Sequence, residues 1–244
     1  MTNYELILQI NDKARSNIEK IKEDQKIDKI NENFAFLDDL NTWISYCERF
    51  QDMILVKEAQ GEGIKSILLC MQGFYKEAMM TLRRFVEHML FAIWLSTNDY
   101  LYRMWKRGKF DMSWAQIVDR EKGVFAKDFI NCYAPDIDDA RGLELLVIAK
   151  DIYRECSEYV HGNYNKLIIL SNNMNYDGKM VQRYLDVFEN VKYLLSMSLL
   201  IRYRDILNEG TNLSMLESII MDNLGILSEV QLLYSAEVGD GIDG

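Results

Sequence analysis

The chain of 244 residues has one proline, Pro135, and only 13 glycines. So few breakers exclude the many turns of an all-β protein and favour long helices. Two histidines, His88 and His161, are too few for a histidine-rich metal site. The four cysteines, Cys47, Cys70, Cys132 and Cys156, are widely spaced and form no CxxC pair, which argues against a disulfide framework or a zinc ribbon. The most apolar stretch, Phe85 to Leu95, is interrupted by Glu87 and His88, so no membrane span is expected. The start, Met1-Thr2-Asn3-Tyr4-Glu5, carries neither a basic nor an apolar leader region, so no secretory signal is expected. These features together predict a reducing cytoplasm. Gly61-Glu62-Gly63 lacks the strand and the Lys-Ser/Thr of a phosphate-cradling loop. No Gly-x-Ser-x-Gly elbow occurs, and Glu87-His88 are adjacent rather than three apart as in a di-metal helix motif.

What is present is ordinary for a soluble globular protein: 49% hydrophobic and 27% charged residues, enough to exclude a disordered chain. The length suits one large domain or two small ones. With 28 basic and 38 acidic residues the formal charge is −10. That balance argues against tight non-specific binding of nucleic acid, whose affinity comes from Lys and Arg, and leaves room for a local basic site.

Apolar residues recur at helical spacing along most of the chain. Leu6, Ile7, Ile10, Ala14, Ile18 and Ile21 predict an amphipathic helix over 3–22. Asp24 to Asn33 reads as a polar linker. Asn41 or Thr42 is placed to cap a helix carrying Trp43, Ile44, Cys47 and Ile54. From Ile64 to Trp94 the pattern predicts one central helix of about thirty residues, about 45 Å long, with Gly73 inside it as a packing site. Two or three short helices are expected between Asn98 and Lys127. Tyr133-Ala134-Pro135-Asp136 is the clearest break. Asp136, Asp138 and Asp139 suit the start of a helix that runs to His161, with Gly162 as its cap. Leu167 to Leu170 reads either as a strand before a hairpin turning at Asp177-Gly178, near 167–180, or as a further helical turn. Helices are expected over Met180–Leu207, ended by Gly210, and over Thr211–Leu224 as the last. The acidic, glycine-rich tail from Glu237 is expected to be mobile.

One segment carries the elements of a chemistry. Arg154 and His161 are seven residues apart, so a helix brings them within about 20° of one face, two turns apart. Glu158 is within reach of either, and the helix end favours a protonated imidazole. A guanidinium that grips phosphate beside an imidazole that moves a proton is a minimal kit for cutting RNA without metal. The plain alternative is an i, i+4 ion pair of Arg154 with Glu158 and a histidine at an ordinary helix end.

The order of the chain resembles the HEPN superfamily, helical-bundle proteins of prokaryotic defence, toxin–antitoxin systems and RNA processing. That family carries an R-x4–6-H motif late in a helix, matched here by Arg154 to His161. Gly73-Phe74-Tyr75-Lys76-Glu77-Ala78, Leu82-Arg83-Arg84-Phe85-Val86-Glu87 and Glu158-Tyr159-Val160-His161-Gly162 also look like its defence-associated members, over roughly residues 60–207. The chain is expected to be an all-α helical bundle, HEPN-like at 59–210, with a helical extension at 1–58 and a C-terminal helix and acidic tail at 211–244 that lie outside the resemblance. It implies a homodimeric endoribonuclease whose two motifs face one cleft. Arg154 would bind phosphate and His161 act as acid/base, with Ser157, Glu158, Asn163 and Arg84 in support. RNA would be the substrate, with a protein partner or antitoxin in attendance and neither cofactor, metal nor membrane. Glu155 departs from the polar, often amide-bearing residue common after the motif arginine, and a carboxylate there repels RNA. Some family members have lost catalysis, so the competing reading is an inactive scaffold or partner-binding module of a defence complex. A third reading is a purely structural dimer without nucleic acid.

Other charged and sulfur-bearing residues have simpler readings. Arg83 and Arg84 salt-bridge carboxylates such as Glu87, or line an RNA groove. Lys106-Arg107-Gly108-Lys109 is a basic loop beside Trp105 that suits either solvent or nucleic acid. Arg202 and Arg204 complement a helix dipole. His88 is expected as a hydrogen-bonded core or edge histidine, and the cysteines as core filler.

Overall fold

The computed structural model describes residues 2–49, 52–160, 174–207 and 212–239. Among them are twelve α-helices and no strand, so the chain is an all-α bundle. Helix α1, Asn3–Glu23, opens with a capping box: the Thr2 hydroxyl accepts from the Glu5 amide, and the Glu5 carboxylate accepts from the Thr2 amide at 2.7 Å. A turn at Asp24–Lys26, with Gln25 in the left-handed region, leads into α2, Ile27–Cys47. The expected linker is therefore mostly helix. Ile30, Asn33 and Leu37 are buried, while Asp28, Lys29, Asn31 and Glu32 supply the exposed face that made the segment look like a loop. Asn41 and Thr42 lie inside α2 and cap nothing.

The expected thirty-residue helix is a hairpin of two, α3 (Ile54–Met71) and α4 (Tyr75–Leu95). Gly73, at φ +89°, sits at the break. The Phe74 amide donates to Leu69 O at 2.8 Å and the Gly73 amide to Cys70 O at 3.0 Å. That pair of reversed bonds is a Schellman ending, which needs a residue free to adopt positive φ. Short helices follow: α5 (Asp99–Lys106), α6 (Trp114–Ile117) and α7 (Lys127–Tyr133). Helix α8, Asp139–Val160, begins after Asp138, whose carboxylate accepts from the Ala140 amide at 2.8 Å.

Helix α9, Gly178–Arg202, starts at the Asp177-Gly178 pair expected to turn a hairpin. Asp177 instead caps the helix, accepting from the Lys179 and Met180 amides. Leu167 to Leu170, Gly162 and Gly210 lie outside the described residues. After α10 (Arg204–Leu207) and α11 (Asn212–Leu224), expected to be the last helix, comes a further one, α12, Ser228–Gly239, which reaches into the tail expected from Glu237. It is tied down by buried Val230 and by Arg141 of α8, which donates to Glu229 at 2.8 Å.

Helix α4 lies between α3, α8 and α9, and α2 covers α3 and α9 from the other side. Phe188 is the aromatic centre, stacked with Phe85 at 6.3 Å between centroids and edge-on to Phe36 at 6.4 Å. The buried Ser66 hydroxyl donates to Ala78 O and lies 2.8 Å from the Tyr184 hydroxyl, so this polar pair inside the core is satisfied. Cys47, Cys70 and Cys156 are buried core residues, whereas Cys132 is exposed and fills no core. Burial pushes the Cys47 and Cys156 thiols up to about 12, which keeps them protonated and unreactive. Among the described residues no helix is long and apolar enough to cross a membrane.

Candidate functional site

The last two turns of α8 pack between α4 and the start of α9. Tyr159 and Cys156 face the core, and helical geometry turns Arg154 to the opposite side. Its side chain is 74% exposed and pairs with Asp151, one turn earlier, at 2.9 Å. Leu143 and Val147, also exposed, lie within about 40° of Arg154 on the same stripe of α8. His161 and Asn163 lie outside the described residues.

Glu155, the carboxylate next to the motif arginine, does not face Arg154. It is held by Arg183 of α9 in a two-pronged pair, the second bond at 2.7 Å. A fork of this kind neutralises the carboxylate and fixes its direction. Ser157 lies on the α4 side of the helix, where its hydroxyl donates to Tyr153 O and accepts from Arg83 Nη1 at 3.2 Å. Arg83 also donates to Glu87 at 3.1 Å and to the Tyr153 hydroxyl at 2.5 Å, and its guanidinium lies 4.0 Å from the Tyr153 ring centroid. On the far side of that ring system Trp114 of α6 stacks at 4.5 Å. Arg83 therefore locks the rotation of α8 from within the bundle.

Arg84 points elsewhere. It lies 3.7 Å from Glu62 of α3, which also accepts from Lys65 at 2.9 Å. Of the supporting residues named from the sequence, Ser157 and Glu158 share the last turns of α8 with Arg154, and Arg84 belongs to the α3–α4 face. Arg183, Tyr153 and Trp114 are the neighbours that the sequence did not single out, and Arg83 makes the expected pair with Glu87. The Arg83–Glu87 contact was readable as an i, i+4 pair, but nothing local announces Arg183, which meets Glu155 from another helix.

Arg202 and Lys106 have structural partners. Arg202 donates to Ser96 Oγ at 2.6 Å and lies over Tyr133, so it ties α9 to α4 and α7 beyond any dipole effect. Lys106 pairs with Asp52 at 3.1 Å, while Arg107 and Lys109 are exposed. Half-buried His88 was expected to be hydrogen-bonded, yet its Nδ1 finds no partner among the described residues. The α4 backbone around it already bonds along the helix, and burial, then Arg84, holds the imidazole below its usual pKa, in the neutral form. A cavity of about 180 Å³ at the C-terminal end of α4, between Asp52, Leu55, Ser96 and Tyr102, includes no residue of the α8 motif. Among the described residues no three His, Cys, Asp or Glu side chains gather as metal ligands.

Comparison with known proteins returns no match, whether to family models, to curated proteins or to solved structures.

Proposed function

We propose that the chain is a metal-independent HEPN-type endoribonuclease of a prokaryotic antiviral defence or toxin–antitoxin system. The observation that carries this reading is the state of Arg154. It reaches solvent late in α8 while the adjacent carboxylate, Glu155, is drawn away and neutralised by Arg183. The residue that departs from the family pattern therefore does not set a bare negative charge beside the phosphate-binding group.

In this mechanism the 2′-OH of the substrate gives its proton to the His161 imidazole. The O2′–P bond forms, the P–O5′ bond breaks, and the departing 5′ oxygen takes that proton from the imidazolium, which restores His161. The products are a 2′,3′-cyclic phosphate and a 5′-hydroxyl. Arg154 stabilises the charge that grows on the phosphoryl oxygens. Ser157 is held by Arg83 and keeps the helix turned so that Arg154 faces out, while Glu158 and Asn163 flank His161 in sequence. The exposed stripe of Leu143 and Val147 beside Arg154 suits a face that meets a second copy, where two motifs line one cleft.

The test is incubation of the purified chain with cellular RNA and tRNA in EDTA, beside Arg154→Ala and His161→Ala. Wild type is expected to leave cyclic-phosphate ends, and each variant to lose about 10²–10⁴ in rate with an unchanged circular dichroism spectrum. Cleavage by His161→Ala at the wild-type rate would sink the reading at its central residue.

A further inference from the structure

The first half of α1 is exposed along its whole length. From Thr2 to Asp12 every residue is exposed, although the helix is regular and capped. It projects about 15 Å from the bundle. Five large apolar side chains stand on this projection: Tyr4, 68% exposed, Ile7, 55% exposed, and Leu6, Leu8 and Ile10. They span an arc of about 200°, and Glu5, Gln9 and Asp12 fill the opposite side. A helix that packs on one neighbour needs an apolar stripe of about 100°. The wider arc suits an arm lodged in a groove or between helices. So large a contiguous apolar patch is rarely left uncovered on a monomer.

The stripe by which α1 grips its own bundle continues onto the arm. Ile7, Ile10, Ala14, Asn17 and Ile21 follow 3-4 spacing, the seam of packed helices. Ala14, Asn17 and Ile21 are buried, while Ile7 and Ile10 are not. The arm also leaves the bundle at the motif end. Asn17 donates to Gln72 O at 3.0 Å and to Met174 O at 2.8 Å, just before α9, and the first turns of α9 hold Glu155 through Arg183. At this end α3 exposes a ridge of its own, Ile64 and Leu68, beside Gly61, where a Cβ would meet only open space.

We propose that residues 3–12 are an exchange arm that docks on the α3 ridge of a second copy of this chain. This rests on the reading that two copies meet at their motif ends, which brings each arm to the other's α3. One arm is small against the ~800 Å² per partner of a stable interface. In a two-fold pair each copy gives one arm and receives one, so the contact is made twice.

The experiment is sedimentation velocity of the full chain across micromolar concentrations, comparing wild type with the Ile7→Glu, Ile10→Glu double variant. It is joined by photo-crosslinking from benzoylphenylalanine at position 7 in mixed light and heavy isotope copies. Wild type is expected to dimerise, and the double variant to do so at least tenfold more weakly. Melting of the dilute protein is expected to stay the same, because Ile7 and Ile10 are exposed in their own chain. Crosslinks are expected between light and heavy copies, within α3. A monomeric wild type, equal dimerisation of the variant, or crosslinks confined to one copy or to added lipid vesicles would overturn the arm. RNA cleavage by a dimer indifferent to the arm substitutions overturns the arm and keeps the nuclease. An arm-dependent dimer that cleaves no RNA overturns the nuclease and keeps the arm.

Discussion

Gly73 shows how one residue sets the architecture. Its positive φ closes α3, and a Cβ there would stand 2.5 Å from Asn17 Nδ2 and 3.3 Å from Met174 O. Gly73→Ala therefore strains the backbone and displaces an amide that bonds two separate carbonyls. It is expected to destabilise the fold by about 2 kcal/mol or more, read as a lower midpoint in urea; an unchanged midpoint would remove Gly73 from this role. The glycine was visible in the sequence but its job was not. Ile67, Met71, Phe74, Tyr75, Ala78 and Met79 keep an interval of three or four straight through the break, because both arms of a buried hairpin turn apolar faces to one core. Periodicity alone cannot tell such a hairpin from one long helix. Arg154 was singled out for the opposite reason: its spacing to His161 is local. Arg183, 28 residues from Glu155 along the chain, was not.

At the scale of elements, the amphipathic face of α1 and the helix start at Asp138 were readable because they are local, while the Thr2 capping box went unread and Asn41 and Thr42, read as a cap, lie inside α2. Local patterns misled where one signal serves two structures. Asp177-Gly178 is equally a hairpin turn and a helix start, and the apolar positions after it, Val181, Tyr184, Leu185 and Phe188, decide for the helix. One contact between elements has a measurable electrostatic cost. Asp39 of α2 is half-buried, and desolvation, then Asp222 of α11 and neighbouring Asp38, raise its pKa to about 6. In the unfolded chain an aspartate titrates near 3.9. The folded state thus binds this proton more tightly, so stability falls as pH rises from about 4 to about 6 and is level above that. Asp39→Asn is expected to flatten that slope. At pH 7.5 solvent screening limits the gain to about 1 kcal/mol, or about 2–4 °C in Tm. A variant with the wild-type slope and an equal or lower Tm would show that Asp39 is not the group responsible.

At the scale of the whole molecule, one apolar cluster runs from Ile21 to Val230 and draws on the N-terminal, central and C-terminal segments alike. Composition shifts along the chain mark segments, but not which of them share a core, because that depends on contacts such as Phe36 with Phe188. The expected consequence is a single cooperative unfolding transition. Tryptophan fluorescence, reporting on buried Trp43 of α2, and far-ultraviolet circular dichroism should give the same urea midpoint and slope. Two separated midpoints would mean that the segments unfold independently.

The bond from Asn17 to Met174 spans 157 residues, and this matters while the chain is being made. Helix α1 leaves the ribosome well ahead of Met174, its apolar arm exposed, while one of the two carbonyls that hold Asn17 does not yet exist. At 5–20 residues per second the wait is roughly 8–30 s. Through that interval nascent copies on one messenger carry the same unanchored arm side by side, where pairing between neighbouring chains can begin before either has finished folding.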